Sequence, residues 1–116
     1  MDEITRLQAD VLKALSTPLR LEILHRLAGG PLEVSRIAAA IGVSQPNTSQ
    51  HLSVLRAAGL VAADRHGREI RYGLVDPEVI VACDLMRGVL QRRLAHFASL
   101  AEPELATAAI PLGRAS

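Results

Sequence analysis

The segment from Glu33 to Gly59 constrains the fold more than any other part of the chain. It reads EVSRIAAAIGVSQPNTSQHLSVLRAAG. Gly42 divides it into two short apolar helices, and Ser44 has the side chain of a capping residue at the start of the second. Pro46 falls in the first turn of that helix, where its missing N–H costs nothing. Two short helices joined by a tight turn predict a helix-turn-helix.

The second helix of this segment has two faces of different chemistry. Helical spacing predicts an inward-packing face made of Thr48, Leu52, Leu55 and Gly59. The outer face carries neutral hydrogen-bonding side chains, namely Gln45, Asn47, Ser49, Gln50 and His51. Amides and hydroxyls displayed in this way can read base edges in the major groove of DNA. The alternative is that this is an ordinary solvated face. For His51 the alternative is a hydrogen bond that fixes the helix before Gly42, which is the third helix of the chain.

The flanking segments complete a recognisable order of elements. Apolar residues at helical spacing predict helices over residues 3–15 and from Pro18 to the Gly29-Gly30-Pro31 break, with the third helix near 33–41. Strands at 60–65 and 69–74 then form a hairpin, whose tip offers Arg65, His66 and Arg68 to a phosphate backbone or minor groove. A long helix over 77–101 follows. We therefore predict a mainly α winged helix-turn-helix: four helices, a small β-hairpin and a last helix.

Composition predicts a second buried surface. The chain has 116 residues, of which 49% are hydrophobic, yet it has one Tyr, one Phe and no Trp. The core must therefore be aliphatic. The chain also has more apolar residues than the single core of a domain this small requires. Because the first and last helices both carry unpartnered apolar stripes, we predict a homodimer formed through them. Residues 1–101 form the DNA-binding and dimerisation domain in this prediction, and residues 102–116 form a flexible tail.

Charge distribution agrees with binding to double-stranded DNA. The formal net charge is only +1, but no Asp or Glu occurs from Val34 to Ala63. Such a surface can approach phosphates without like-charge repulsion. The alternative is that an Ala-rich helix pair needs few charges.

Several classes of protein are disfavoured by what the sequence lacks. It has no signal peptide and no apolar run of membrane-spanning length, so we expect a cytoplasmic protein with no membrane partner. Its single cysteine, Cys83, cannot form an intrachain disulfide. No nucleophile–base pair, paired catalytic carboxylates or phosphate-binding glycine loop is present, so we do not expect an enzyme.

Three strings of residues carry a family resemblance. They are ALSTPLRLEILHRL at 14–27, VSRIAAAIGVSQPNTSQHLSVLRAAGLV at 34–61 and REIRYGL at 68–74. With them the chain resembles the ArsR/SmtB family of bacterial winged-helix repressors. The resemblance implies a homodimer that binds imperfect inverted repeats at promoters and is released by an inducer at a metal or thiol site. By motif position it assigns base contacts to Gln45, Ser49 and Gln50, with Asn47 and His51 assisting. Pro46 stands where the family often has a small hydroxyl residue.

The metal sites that the resemblance implies are largely missing from the sequence. Leu32-Glu33-Val34 occupies the place of a Cys-x-Cys pair. On the last helix, Met86 and Ser99 stand where ligands should follow Asp84 and His96. We therefore predict no metal cofactor.

Other modes of control and another function remain open. Cys83 could approach His96 of a second chain, with Asp84 nearby, to bind Zn or Ni, or it could sense thiol chemistry by itself. An unknown inducer or partner protein is the remaining route of control. The alternative function is a winged-helix module that binds a protein, which would favour an apolar or acidic outer face on the fourth helix.

Overall fold

The computed structural model describes residues 1–100, so the tail predicted at 102–116 lies outside the described residues. The elements are α1 (Glu3–Ala14), α2 (Pro18–Leu27), β1 (Leu32–Glu33), α3 (Val34–Ile41), α4 (Gln45–Ala57), β2 (Val61–His66), β3 (Glu69–Leu74) and α5 (Glu78–Ser99). Two compact units are formed, one from Met1 to Ile80 and one from Val81 onward. The predicted winged helix-turn-helix order is confirmed, and helix ends differ from the prediction by one or two residues, as assignments commonly do.

Side-chain caps fix where the first two helices begin. The Asp2 carboxylate accepts a 2.8 Å hydrogen bond from the backbone N–H of Thr5. Hydrogen bonding with the Thr5 side chain, and then this backbone bond, lower the pKa of Asp2. Thr17 Oγ1 accepts a 3.3 Å bond from the N–H of Arg20, and Pro18 occupies the first position of α2. Each cap satisfies one of the N–H groups that a helix leaves without an internal partner.

The core of the first unit is aliphatic, as its composition predicted. Its fully buried side chains are Ile23, Leu24 and Leu27 of α2, Ile37 of α3, Leu52 and Leu55 of α4, and Val61 of β2. One polar side chain, Thr48, is also fully buried, and its Oγ1 donates a 2.8 Å bond to the carbonyl of Ser44. A buried hydroxyl with a partner avoids the desolvation penalty of an unpaired one. This packing holds one face of α4 in place.

The hairpin belongs to a three-stranded antiparallel sheet in the order β1-β3-β2. The sequence predicted only two strands, so β1 is a correction. It pairs Leu32 with Tyr72 and Glu33 with Arg71. Two residues are too few to show strand alternation, and the preceding glycines and proline indicated only a loop. Gly73 of β3 provides the room for that loop, because a Cβ there would lie 3.3 Å from Cγ of Pro31.

Gly59 does not pack inward, contrary to the prediction. It is exposed and lies beyond the end of α4, with φ of +78°. The N–H of Gly59 bonds the carbonyl of Arg56, and the N–H of Leu60 bonds that of Leu55. The residue therefore ends α4 in the left-handed conformation that glycine adopts at low cost, and it does not contribute to the helix face.

The two terminal helices expose apolar side chains on the single chain. On α1 these are Ile4, Leu7 and Leu12; on α5 they are Val81, Leu85, Met86, Val89, Leu90, Leu94 and Phe97. Within residues 1–100, none of the helices combines the length and apolar character that a membrane crossing requires.

Candidate nucleic-acid interface

The start of α4 is shaped so that its first residues face solvent. Ser44 is extended, and its Oγ accepts a 3.3 Å hydrogen bond from the backbone N–H of Asn47. Gly42, with φ of +72°, ends α3 in the left-handed conformation and reverses the chain before this cap. No acidic residue lies in the first turn of α4. The helix N-terminus, with its partial positive charge, is thus left without a competing carboxylate.

The structure separates the five predicted base-contacting residues into two groups. Gln45, Asn47 and Gln50 are exposed. Ser49 and His51 are half-buried. The amide groups of the first three are therefore free to reach a ligand, while the other two border the packed face of α4.

His51 is placed by a contact with α2. Its Nδ1 lies 3.4 Å from Nη1 of Arg20, across 31 residues of sequence. The alternative predicted for this histidine was a hydrogen bond that fixes the third helix. The partner helix in that prediction was wrong, because the bond joins α4 to the second helix. Arg20 was not among the residues singled out from the sequence. Only the Thr17-Pro18 helix start marked its neighbourhood, and nothing in its spacing indicated a contact with α4.

The wing presents two cationic side chains at its tip. Gly67, with φ of +64°, turns the chain between the paired residues His66 and Glu69. Arg65 and Arg68 are exposed, and within residues 1–100 neither forms an ion pair. The third basic residue of the tip differs, since His66 Nε2 lies 3.0 Å from the carboxylate of Asp64. The two arginines are thus the groups most free to contact phosphate.

Two acidic residues meet on the three-stranded sheet, one on β1 and one next to the wing turn on β3. The carboxyl groups of Glu69 and Glu33 share a hydrogen bond, which raises the pKa of Glu69, and the charge of Glu33 raises it further. Arg71 and Arg36 act in the opposite direction by their positive charge. Glu33 also approaches Nη2 of Arg71 at 3.9 Å. These carboxylates lie outside the acid-free segment that contains α4.

Cys83 and His96, the residues considered for sensing, are both half-buried on α5. Burial raises the pKa of the Cys83 thiol, and the charge of Asp84 raises it further. His96 Nε2 is buried and has no hydrogen-bond partner within the described part of the chain. In that same part, no group of three or more His, Cys, Asp or Glu side chains is close enough to hold a metal ion.

A helix-turn-helix whose second helix exposes amides, followed by a hairpin with an arginine-bearing tip, defines a winged helix-turn-helix protein. The family model described as "Bacterial regulatory protein, arsR family" matches residues 17–63. The chain is also 32% identical over 102 residues to the HTH-type transcriptional regulator Rv0081 of Mycobacterium tuberculosis, covering 87% of this chain and 90% of the relative. The chain belongs to the ArsR family of bacterial regulators, as the sequence resemblance predicted.

A second relative is more similar over a shorter region. The HTH-type transcriptional regulator NmtR of Mycobacterium tuberculosis is 50% identical over 76 residues, which covers 66% of this chain and 63% of the relative. The matches to the SmtB and CmtR regulators of that species span 55% and 54% of those proteins. The chain thus spans less than two thirds of the length of these curated relatives. All of them bear names of transcriptional regulators, in agreement with our expectation of a protein that is not an enzyme.

Solved structures show the same fold. The crystal structure of Rv0081 superposes with a TM-score of 0.75 at 32% identity, covering 84% of this chain and 99% of that one. The solution structure of Mb0332 from Mycobacterium bovis, described as a homodimeric winged helix-turn-helix DNA-binding domain, gives a TM-score of 0.73 at 34% identity. It covers 80% of this chain and 86% of that domain.

Proposed function

We propose that this chain is a homodimeric, sequence-specific DNA-binding repressor of transcription. In this proposal α4 enters the major groove and the wing tip at residues 65–68 contacts the backbone or minor groove. The observation that carries the proposal is the pair of faces on α4. Thr48 and Leu52 are fully buried on one side, while Gln45, Asn47 and Gln50 are exposed on the other. A rigidly held helix that displays amides has the chemistry of base readout.

Each side chain has a distinct role in this proposal. Gln50 and Asn47 can each form a bidentate pair with adenine, because a carboxamide matches its N6 donor and N7 acceptor. Gln45 lies at the helix N-terminus, where the helix dipole also favours a phosphate. Ser49, at the border of the exposed face, can donate to either a base or a phosphate. Arg65 and Arg68 of the wing supply charge-assisted contacts that set affinity without reading sequence.

The dimer in this proposal follows from exposed apolar side chains on the terminal helices. Leu7 on α1 and Leu90 on α5 are 51% and 54% exposed in the single chain. Large apolar side chains gathered on a surface mark an interface with another protein. The homodimeric relative Mb0332 supports a second copy of this chain as that partner. Two α4 helices related by a two-fold axis require an inverted repeat with half-sites roughly 34 Å apart. A repressor of this kind acts where bacterial DNA is, in the cytoplasm.

For regulation, we propose a repressor without a resident metal. Within residues 1–100, no group of three or more His, Cys, Asp or Glu side chains lies close enough to hold a metal ion, which supports this proposal. A site between chains would still have to bring Cys83 to the partner's His96. An unknown inducer or partner protein remains the source of the signal. The winged-helix module that binds protein through α4 is disfavoured, because the exposed face of α4 is polar to basic.

The experiment that tests the function is selection of bound duplexes from a random library by the purified full chain, metal-free and reduced. We expect recovery of one inverted repeat, bound by a dimer. Affinity for it should fall steeply between about 50 and 200 mM salt, since several phosphate contacts release counterions. Recovery of no sequence above background, or affinity insensitive to salt, would contradict the proposal. Adding Zn, Ni or oxidant to the recovered complex then tests the metal and thiol alternatives directly.

A further inference from the structure

One arginine joins three helices of the first unit. Arg20 lies in the first turn of α2, and its Nε donates a 2.5 Å hydrogen bond to the carbonyl of Ala14, the last residue of α1. Its Nη1 lies 3.4 Å from Nδ1 of His51 on α4. Both contacts are partly buried. One guanidinium group therefore connects the end of α1 with the helix that we place in the major groove.

The chemistry of the two partners fixes the direction of both bonds. The last carbonyls of an α-helix have no donor within the helix, and a cation at this end also complements the helix dipole. Arginine donates and never accepts, so Nδ1 of His51 must be the acceptor. The imidazole is then neutral and carries its proton on Nε2. An imidazolium ion, with protons on both nitrogens, could not form this bond and would place a second positive charge beside the guanidinium.

We propose that Arg20 and His51 are a positioning pair, which holds α4 against the C-terminal end of α1 and releases it when His51 is protonated. The inference rests on the proposed function, since α4 matters here as the DNA-reading helix. It assigns to His51 a role in placing the helix rather than in contacting DNA. It also connects α1, one of the two proposed dimer helices, to the DNA-reading helix by a single side chain.

The surroundings of His51 contain little else to hold an imidazolium ion. Within the described residues, the elements that pack most extensively against α4 are α2, α3 and β2. Their charged and titratable residues are Arg20, Glu22, His25 and Arg26 on α2, Arg36 on α3, and Asp64, Arg65 and His66 on β2. The two acids among them pair with other groups, Glu22 with Arg26 and Asp64 with His66. Among the described residues, Arg20 is the group recorded within hydrogen-bond distance of His51.

The inference and a direct DNA contact predict opposite effects of pH. Histidine side chains protonate between about pH 8 and 5. An imidazole that contacted phosphate would bind more tightly once it gained a positive charge. An imidazole that accepts a bond from Arg20 would lose that bond, and α4 would lose a constraint. The sign of the pH effect due to His51 alone therefore distinguishes the two roles.

The pair itself is tested without DNA. Nitrogen-15 NMR of the imidazole groups in the full chain at pH 7.5 reports which nitrogen of His51 carries the proton. We expect the Nε2–H form in the wild type and a mixture of both neutral forms in Arg20→Ala. A wild-type His51 with its proton on Nδ1 would overturn the inference, whether or not the protein binds DNA. Circular dichroism confirms that the variant is folded, and Arg20→Met, which keeps the length of the side chain without a donor, replaces it if it is not.

The consequence for DNA is tested on the selected duplex between pH 7.5 and 5.5. His51→Gln is the reference, because its amide oxygen can accept from Arg20 and stays neutral throughout. We expect wild-type affinity to fall at least about tenfold relative to His51→Gln as the pH drops, which is what the loss of one hydrogen bond to a charged group gives. Arg20→Ala should bind more weakly at pH 7.5 and show no such relative fall. His25→Gln and Arg26→Ala on α2 are matched controls, and both should follow the wild type.

The two proposals fail in distinguishable ways. A wild-type protein that binds no duplex at either pH would overturn the proposed function. The wild type could instead bind, with an affinity relative to His51→Gln that stays constant or rises at low pH. That result would overturn this inference and leave the proposed function standing. A rise would identify His51 as a direct DNA contact.

Discussion

Ser44 Oγ accepts a 3.3 Å hydrogen bond from the backbone N–H of Asn47, so the residue that begins α4 is bound to one that we place against DNA. Replacing Ser44 with Ala removes this cap and should lower the free energy of unfolding by about 1 kcal/mol. Urea denaturation measures the change. Ser53→Ala is the matched control, since the Ser53 hydroxyl bonds only the carbonyl of Ser49 within the helix. An equal loss in both variants would contradict the capping role.

Ser44→Asp separates the stability of α4 from its approach to phosphate. Aspartate caps as well as serine does, so the free energy of unfolding should stay near that of the wild type. The added carboxylate would lie at the helix N-terminus, where the proposal places phosphate, and DNA affinity should fall at least about tenfold by like-charge repulsion. Titration of a labelled duplex measures it. Wild-type affinity in this variant would show that the N-terminus of α4 does not face the DNA backbone.

Gln50 is the exposed amide on α4 whose replacement should change sequence preference most directly. Gln50→Ala should relax the preference at one position of each half-site by about 1–3 kcal/mol, because one bidentate base contact is lost. Competition between the selected duplex and single-base variants of it measures this preference. Dimerisation should be unchanged by light scattering. A uniform loss of affinity for all duplexes would instead assign Gln50 to the backbone.

Arg68 at the wing tip should act without regard to sequence. Arg68→Ala should weaken binding to every duplex by a similar factor and reduce the magnitude of the salt slope by about one, because one phosphate contact is lost. Affinities at several salt concentrations give the slope. Arg26→Ala, on α2, removes the same charge from a residue paired with Glu22 and should leave the slope unchanged. A changed base preference in Arg68→Ala would mean that the wing reads sequence.

The parts of the fold that the sequence predicted correctly are those specified by neighbouring residues. Gly42, Ser44 and Pro46 lie within five positions of one another and together set the turn and the start of α4. Gly67 likewise sets the wing turn by itself. Local signals of this kind act through backbone dihedrals and caps, which the sequence displays directly. Periodicity predicted which side of α4 is buried. The prediction that Gly59 packs inward was wrong because α4 ends before that residue.

The parts that could not be predicted depend on contacts between distant residues. Strand β1 exists because Leu32 and Glu33 find partners at Tyr72 and Arg71, and two residues give no periodic signal of their own. The bond between Arg20 and His51 spans 31 positions and belongs to no motif. The shared hydrogen bond of Glu33 and Glu69 is of the same kind. Each of these contacts requires the packed structure to bring its members together.

Leu90 should be needed for DNA binding although it lies far from α4 in sequence. Leu90→Asp places a charge among exposed apolar residues of α5, which the proposal buries in the dimer. We expect a monomer by light scattering and a loss of detectable binding to the inverted repeat, since one protomer reaches one half-site only. Gln91→Asp adds the same charge at the next, polar position and should remain dimeric. A dimeric Leu90→Asp protein with normal affinity would place the dimer interface elsewhere.

Glu69 gives stability a pH dependence of predictable sign. Its hydrogen bond with Glu33, and then burial and the charge of Glu33, raise the pKa of Glu69 above its usual 4.5. A carboxyl whose pKa is higher in the folded state stabilises the fold when protonated, below the unfolded pKa. This contribution is lost as pH rises through the folded pKa.

At pH 7 both carboxylates are charged and repel each other. Glu69→Gln keeps a hydrogen-bonding group without charge and should therefore raise the melting temperature at pH 7. The advantage over the wild type should disappear near pH 4, where Glu69 is itself protonated. Glu78→Gln, on the first turn of α5, is the control and should not raise stability at pH 7. Thermal unfolding at the two pH values decides the matter: a Glu69→Gln advantage that is equal at pH 4 and pH 7, or absent at both, would show that the two carboxyl groups do not interact.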